Sequence, residues 1–140
     1  EIGLFLGRLM GQSLKEAERF SGIEALVPLP LFAAKERKRG YNQSAILCEG
    51  IAAATGLPVR SNAVKRISFT DTQTKKSRME RWLNMENRFE LTGASLIRGR
   101  HVLLVDDILT TGATLEACGR ELLTADDIKL SIATLAFTTN

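Results

Sequence analysis

The thirteen residues at 102–114, VLLVDDILTTGAT, constrain this chain more than any other stretch. Four consecutive apolar residues predict a strand over 102–105 that is buried on both faces. Asp106 and Asp107 follow at its carboxyl end. A turn rich in hydroxyls and glycine comes next, and Leu115, Cys118 and Leu122 recur at helical spacing beyond it. A strand buried on both faces needs helices above and below, so the expected fold is α/β, a parallel sheet flanked by helices.

Each part of the run has a chemical use. In open parallel sheets ligands lie beyond the carboxyl ends of the strands, where Asp106 and Asp107 emerge, and carboxylates there accept hydrogen bonds from sugar hydroxyls. Thr110, Thr111, Gly112, Ala113 and Thr114 would wrap an anion with backbone N–H groups at a helix N-terminus. An acid pair beside an anion cradle suits a ribose 5-phosphate. A Walker B strand also ends in acids, but no G-x-x-x-x-G-K-[ST] loop accompanies this one, and no G-x-G-x-x-G follows a strand. The plain alternative is a buried strand followed by a helix that Thr110 or Thr111 caps.

The rest of the chain repeats the alternation. Leu6, Met10, Leu14 and Ala17 predict an amphipathic helix over 2–21, with Gly3, Gly7 and Gly11 on one face for close packing against the domain. Residues 23–27, closed by Pro28 and Pro30, predict a strand, followed by a basic loop over 35–40. Leu47, Ile51 and Ala54 mark a helix stopped by Gly56 and Pro58, and strands are expected over 59–67, 89–91 and 130–137. Periodicity fades between 66 and 88, where Lys75, Lys76, Arg78, Arg81 and Arg88 concentrate positive charge. This predicts a long, mobile loop of the kind that functional sites use.

With 140 residues, 44% of them hydrophobic, one soluble domain over 1–140 is expected, although Glu1 at the start implies that something preceded it. A net charge of +3 does not by itself point to nucleic acid. Cys48 and Cys118, far apart and without a CxxC, form neither a disulfide framework nor a zinc ribbon, and read as small helix core residues in a reducing cytoplasm. The apolar stretch 2–10 is too short and too broken for a signal peptide, and no segment is expected to span a membrane. His101 stands at the wrong end of its strand for catalysis and is expected as a surface or satisfied edge histidine.

Residues 103–114 resemble the 5-phosphoribosyl-1-pyrophosphate (PRPP) signature of the type I phosphoribosyltransferases. Val27-Pro28-Leu29-Pro30, Arg39-Gly40-Tyr41-Asn42-Gln43, Gln73-Thr74, Ser77-Arg78, Glu80-Arg81 and Asn84 are similar to the competence protein F family, sometimes labelled amidophosphoribosyltransferase-like. The resemblance implies a Mg2+-dependent PRPP site, with Mg2+ bound together with PRPP, and a flexible loop or hood that closes over it. It implies that Asp106 and Asp107 bind the ribose hydroxyls, that Thr110 to Thr114 bind the 5-phosphate, and that the loop from Leu29 and Pro30 to Phe32 meets pyrophosphate. The chain lacks the cysteine-rich N-terminal segment common in that family, and carries Lys75 and Lys76 where relatives tend to have a glycine and an apolar residue.

Phosphoribosyl transfer builds positive charge on the sugar carbon while pyrophosphate leaves, so cations belong near the leaving group. Arg37 and Arg39 are candidates for pyrophosphate, and Arg78 and Arg81, on one side of a helical turn, for catalysis alongside Asp106 and Asp107. Trp82 is expected to anchor the loop, and Gln73 and Asn84 to cap or brace it. The expected activity is transfer of phosphoribose to an unidentified nitrogen nucleophile. Glutamine-driven amidotransfer is not expected, because no Cys nucleophile lies near a glycine-rich N-terminus. The alternative is a competence-related PRPP-binding or single-stranded DNA-handling module, supported by basic residues between Arg60 and Arg81. Trp82, Phe69 and Tyr41 are the only stacking candidates for it.

Overall fold

The computed structural model describes residues 1–67 and 88–139. At its centre lies the strand His101–Leu109, whose apolar residues alternate between two cores as the two-residue period of a strand requires. Val102 and Leu104 face one layer with Leu115, Cys118 and Leu122. Leu103 and Val105 face the other with Leu47, Cys48 and Ile51, backed by Leu6, Met10 and Leu14. All four strand residues are fully buried. Each such side chain contributes about 1.5–3 kcal/mol through removal from water.

In chain order the elements are α1 (Ile2–Glu16), a 3-10 turn (Glu18–Phe20), β1 (Ala25–Pro28), α2 (Ala33–Arg39), α3 (Gln43–Thr55) and β2 (Val64–Arg66). After the segment 68–87 come β3 (Phe89–Leu91), α4 (Ala94–Ile97), β4 (His101–Leu109), α5 (Ala113–Leu122) and β5 (Lys129–Phe137). The main sheet is parallel in the order β1-β4-β5. Val59 adds a parallel bridge to Leu26, with Leu26 N–H donating to Pro58 O and Arg60 N–H to Leu26 O. Helices α1 and α3 cover one face; α5 covers the other together with the small antiparallel pair β2-β3. The α/β architecture is the one the alternating pattern predicts.

Four local expectations change. The helix expected over 2–21 stops at Glu16, because Ala17 is extended and a separate 3-10 turn follows at Glu18–Phe20. The basic stretch is not a loop: Ala33–Arg39 is a helix, ended by Gly40 in the left-handed region at φ 90°. Its residues are strong helix formers, and none is buried, so no apolar stripe announced it. The strand expected over 59–67 is two pieces, because a turn at 61–63 sends the chain from the Val59 bridge into β2. The strand expected to stop at Val105 continues through both acids to Leu109, because β5 pairs with it as far as Phe137. The expectations for Gln73, Phe69, Lys75, Lys76, Arg78, Arg81, Trp82 and Asn84 fall on 68–87, outside the described residues.

Glycines set how closely α1 and α3 approach. Gly7 and Gly50 face one another so tightly that a Cβ on Gly7 would lie 2.9 Å from Gly50 Cα and overlap the Leu47 carbonyl. A Cβ on Gly11 would meet Ala54 Cβ at 2.8 Å. Among the described residues no helix is long and apolar enough to cross a membrane. We expect Gly7→Val to lower unfolding stability by about 1–3 kcal/mol through overpacking against backbone. A urea midpoint equal to that of the wild type would contradict this helix contact.

Candidate functional site

β1 ends at Pro28, opposite Val105, so Asp106 is the first β4 residue beyond the β1 ladder. The two acids then follow the strand's alternation and line different hollows. Asp106 lines a cavity of about 210 Å3 with Leu29, Leu31, Arg66, Thr110, Gly112, Thr114 and Leu115. Asp107 opens on a larger hollow of about 390 Å3 with Tyr41, Gln43, Ile46 and Leu135. In the smaller cavity an acid faces the hydroxyl-rich turn.

That turn is built by glycine. Gly112 adopts φ 84° and precedes α5, and Ala113 N–H donates to Thr111 Oγ1 at 3.2 Å. The left-handed region suits glycine, and it lets Thr110 to Thr114 fold around the start of the helix. Thr111 therefore braces the turn but does not occupy the cap position itself. The positive end of the α5 dipole and the Thr110 and Thr114 hydroxyls together make this end of the cavity suited to an anion.

Asp106 is fixed from two sides. Its Oδ1 accepts from Ser44 Oγ at 3.0 Å and from Asp107 N–H at 2.8 Å. Ser44 is buried in the first turn of α3, which Asn42 caps by accepting from Ser44 N–H and Ala45 N–H. The same Asn42 side chain donates Nδ2–H to Leu29 O at 3.2 Å. One asparagine thus ties the loop after β1, the start of α3 and, through Ser44, the acid of β4. Burial pushes the Asp106 carboxyl up to about 6, with the Asp107 carboxylate adding to the rise and the Ser44 and Asp107 N–H bonds opposing it.

The expected cations are placed differently. Arg37 lines a separate hollow with Ala33, Glu36 and Gly40, and Arg39 lies exposed at the last turn of α2. Pro30 sits between the two loop leucines that line the cavity. Arg66 enters the cavity instead, its guanidinium carbon 4.7 Å from the Phe32 ring centroid and 5.3 Å from that of Phe89. Ser44, Asn42 and Arg66 are the site residues that sequence reasoning missed. An Asn-x-Ser before an apolar helix was a legible cap signal, whereas nothing local marks Ser44 or Arg66.

His101 is buried at the opposite end of β4, where its Nε2 lies 2.8 Å from Ser131 Oγ. It is satisfied, as expected, but lies buried on the central strand and not at an edge. Cys48 and Cys118 are buried in α3 and α5, and burial pushes both thiols up to about 12. They are core residues. Among the described residues no group of three or more His, Cys, Asp or Glu is placed to hold a metal ion.

The central strand of a parallel sheet here carries two acids shortly before a glycine-built turn and a helix, and residues 32–139 match the phosphoribosyl transferase domain family. The chain belongs to that family. Within it, the chain is 36% identical over 114 residues to competence protein F of Haemophilus influenzae, covering 79% of this chain and 50% of that protein. It is 34% identical over 126 residues to the DNA utilization protein YhgH of Salmonella typhi, covering 88% of this chain and 55% of that one. The chain thus spans about half the length of the curated relatives it matches. The fold is shared with glutamine PRPP amidotransferase of B. subtilis at TM-score 0.64 and 18% identity, over 95% of this chain and 26% of that one.

The raised Asp106 pKa has a consequence for stability. Between its ordinary 3.8 and about 6 the folded chain holds a proton that the unfolded chain has lost, so this group's contribution to stability falls as pH rises through that window. Asp106→Asn keeps an oxygen to accept from Ser44 and removes the buried charge. We expect it to melt higher than the wild type at pH 7.5, by on the order of 1 kcal/mol after allowance for solvent screening, and to match it at pH 3.5. A lower melting temperature at pH 7.5 would show that the carboxylate is stabilised in place.

Proposed function

We propose that this chain binds PRPP together with Mg2+ and transfers its phosphoribose to a nitrogen nucleophile, releasing pyrophosphate. The observation that carries this reading is the cavity in which Asp106 faces the Thr110 to Thr114 turn across a gap of about 210 Å3. In it the 5-phosphate lies against the backbone of Thr110, Thr111, Gly112, Ala113 and Thr114, and the threonine hydroxyls and helix dipole complete the anion's partners. Asp106 accepts from the ribose hydroxyls inside the cavity, and Asp107, which opens on the neighbouring hollow, is proposed to accept from a hydroxyl that reaches its side of β4. Leu29 and Pro30 lead the loop that lies beside the leaving group.

In the reaction the bond from the sugar carbon to the pyrophosphate oxygen breaks, and a bond to the acceptor nitrogen forms. The acceptor loses a proton, and pyrophosphate carries away the electron pair. Positive charge develops on the sugar in between, and the Asp106 carboxylate in the cavity would stabilise it. Mg2+ characteristically takes one or two carboxylates together with substrate phosphates, and Asp106, which shares the cavity with the Thr110 to Thr114 turn, would supply one of them. When bound it would neutralise charge on the leaving pyrophosphate. Arg37, Arg39, Arg78 and Arg81 remain proposed contacts to phosphate. Two buried free cysteines suit a reducing compartment, and we place the reaction in the cytoplasm.

Calorimetry with PRPP and Mg2+ tests the binding site. We expect saturable binding by the wild type, lost by at least about tenfold in Asp106→Asn/Asp107→Asn while the melt stays cooperative. An unchanged titration would remove both acids from the site.

A second reading rests on the names of the relatives, competence and DNA utilization proteins. Here the PRPP-type site would serve a single-stranded DNA-handling module with little or no transfer. Pyrophosphate release measured with a panel of nucleobases and ammonia separates the two. Turnover with any acceptor supports the enzyme, and no turnover combined with salt-sensitive binding of a single strand supports the module.

A further inference from the structure

We infer that the outer edge of β5 is the seam of a two-fold dimer, in which β5 pairs antiparallel with β5 of a second copy of this chain.

The backbone of that edge lacks a neighbour. Among the described residues β5 is the last strand of the sheet β1-β4-β5, with β4 on one side only. Lys129 N–H donates to Arg100 O, on the β4 side, so the alternation along a strand turns the N–H and C=O groups of Leu130, Ile132 and Thr134 outward. Folded chains ordinarily guard such an edge with charged residues or proline. The sequence of β5, KLSIATLAF, has one charge, Lys129 at its first position, and no proline. Ile132, Leu135 and Phe137 are 46%, 38% and 68% exposed along it.

Helix α1 extends the apolar surface beside this edge. Gly3, Gly7 and Gly11 pack on α3, and Leu6, Met10 and Leu14 turn into the core beneath. With about 100° of turn per residue, Ile2, Phe5 and Leu9 stand roughly a quarter turn from that core face, on the flank away from the glycines. Helix α3 lies over β1 and β4, so this flank looks towards β5, and Ile2 and Leu6 share a hollow with Leu135. Ile2, Phe5 and Leu9 are 75%, 58% and 45% exposed. The six apolar side chains leave on the order of 600 Å2 uncovered on each copy, so two copies bring together about the 1,200 Å2 at which stable interfaces begin. The undescribed segment 68–87 is joined to the chain at Ile67 and Arg88, next to β2 and β3, where Arg66 lies against Phe32 of the loop after β1. Both of its ends are therefore on the β1 side of the sheet, away from β5.

The pattern of charge selects a second copy and its direction. An extended, apolar and nearly uncharged segment is what such an edge takes, and β5 is itself one. The register that pairs the whole strand is centred on Ala133. Ile132 then exchanges main-chain hydrogen bonds with Thr134 of the partner subunit, and Lys129 falls opposite Phe137 of the partner subunit, a cation beside an exposed ring. Parallel pairing would instead set two Lys129 side by side, which like charges disfavour. A two-fold axis through Ala133, perpendicular to the sheet, keeps the α1 flanks on one face and turns them towards each other. It also sends the carboxyl ends of the two β4 strands, with their cavities, to opposite ends of the joined sheet.

Sedimentation velocity on the 140-residue chain over a dilution series tests the seam, comparing wild type with Ile132→Lys, Phe5→Glu and Ala133→Cys, with a thermal melt of each. We expect the wild type to reach twice the 15.4 kDa of one chain. Ile132→Lys supplies the missing guard charge beside the axis, and Phe5→Glu places a charge on the helix flank. Each should weaken self-association by at least about tenfold while the melt stays cooperative. Ala133→Cys brings two thiols into a non-hydrogen-bonded antiparallel pair, with about 4.5 Å between Cα atoms, so exchange with oxidised glutathione should give a covalent dimer that a reductant reverses. Cys48 and Cys118 are buried, and the wild type should stay uncrosslinked under the same treatment. A wild type that sediments as a single chain at every concentration overturns the inference, as does a dimer that survives Ile132→Lys. A dimer that Ala133→Cys fails to crosslink overturns it too, because its seam then lies elsewhere. Should Ile132→Lys fail to fold, Phe5→Glu and the crosslink decide in the same way.

Discussion

The burial of β4 on both faces is the constraint on which the rest depends. Val102, Leu103, Leu104 and Val105 have no exposed surface, so helices must lie on either side and the strand cannot slip by one residue without exchanging its two cores. That register fixes the faces of Asp106 and Asp107. It also fixes where the Thr110 to Thr114 turn begins, because β5 holds β4 to Leu109. Packing in the apolar half of the strand thereby positions the polar half.

Hydrogen bonds transmit that order to the neighbouring segments. Asn42 caps α3 and holds the carbonyl of Leu29, while Ser44, in the first turn of the helix, meets Asp106. Neither residue needs to contact a ligand to matter. They keep the loop after β1 and the acid of β4 in one frame, and α3 is in turn seated on α1 through the glycine contact. The cost appears at Asp106, whose partners do not fully offset its desolvation and whose carboxyl is raised accordingly.

Much of this was legible in the chain. The apolar run at 102–105, the helical spacing of Leu47 and Ile51, and the spacing of Gly3, Gly7 and Gly11 each gave an element or a contact that is present. The failures have definite causes. Ala33–Arg39 buries nothing, so periodicity is silent, and only the propensity of Ala, Lys, Glu and Arg marked a helix. The strand end was placed at the first acid because polarity changes there, whereas pairing with β5 carries it further. Arg66 could not be singled out because Phe32 and Phe89 lie far from it along the chain and meet it only after folding. The fold was therefore read from local pattern, and the missed part of the site depends on contacts between distant segments.

The unequal lengths of the strands shape access. β1 stops at Pro28 while β5 runs alongside β4 to Phe137, so the carboxyl edge of the sheet is a step with one tall side. Among the described residues, the loop that leads into α2 rises beside Asp106 on the β1 side of that step. Leu29 and Leu31 of this loop therefore stand where β1 no longer continues, and Arg66 lies against Phe32 at the loop's end.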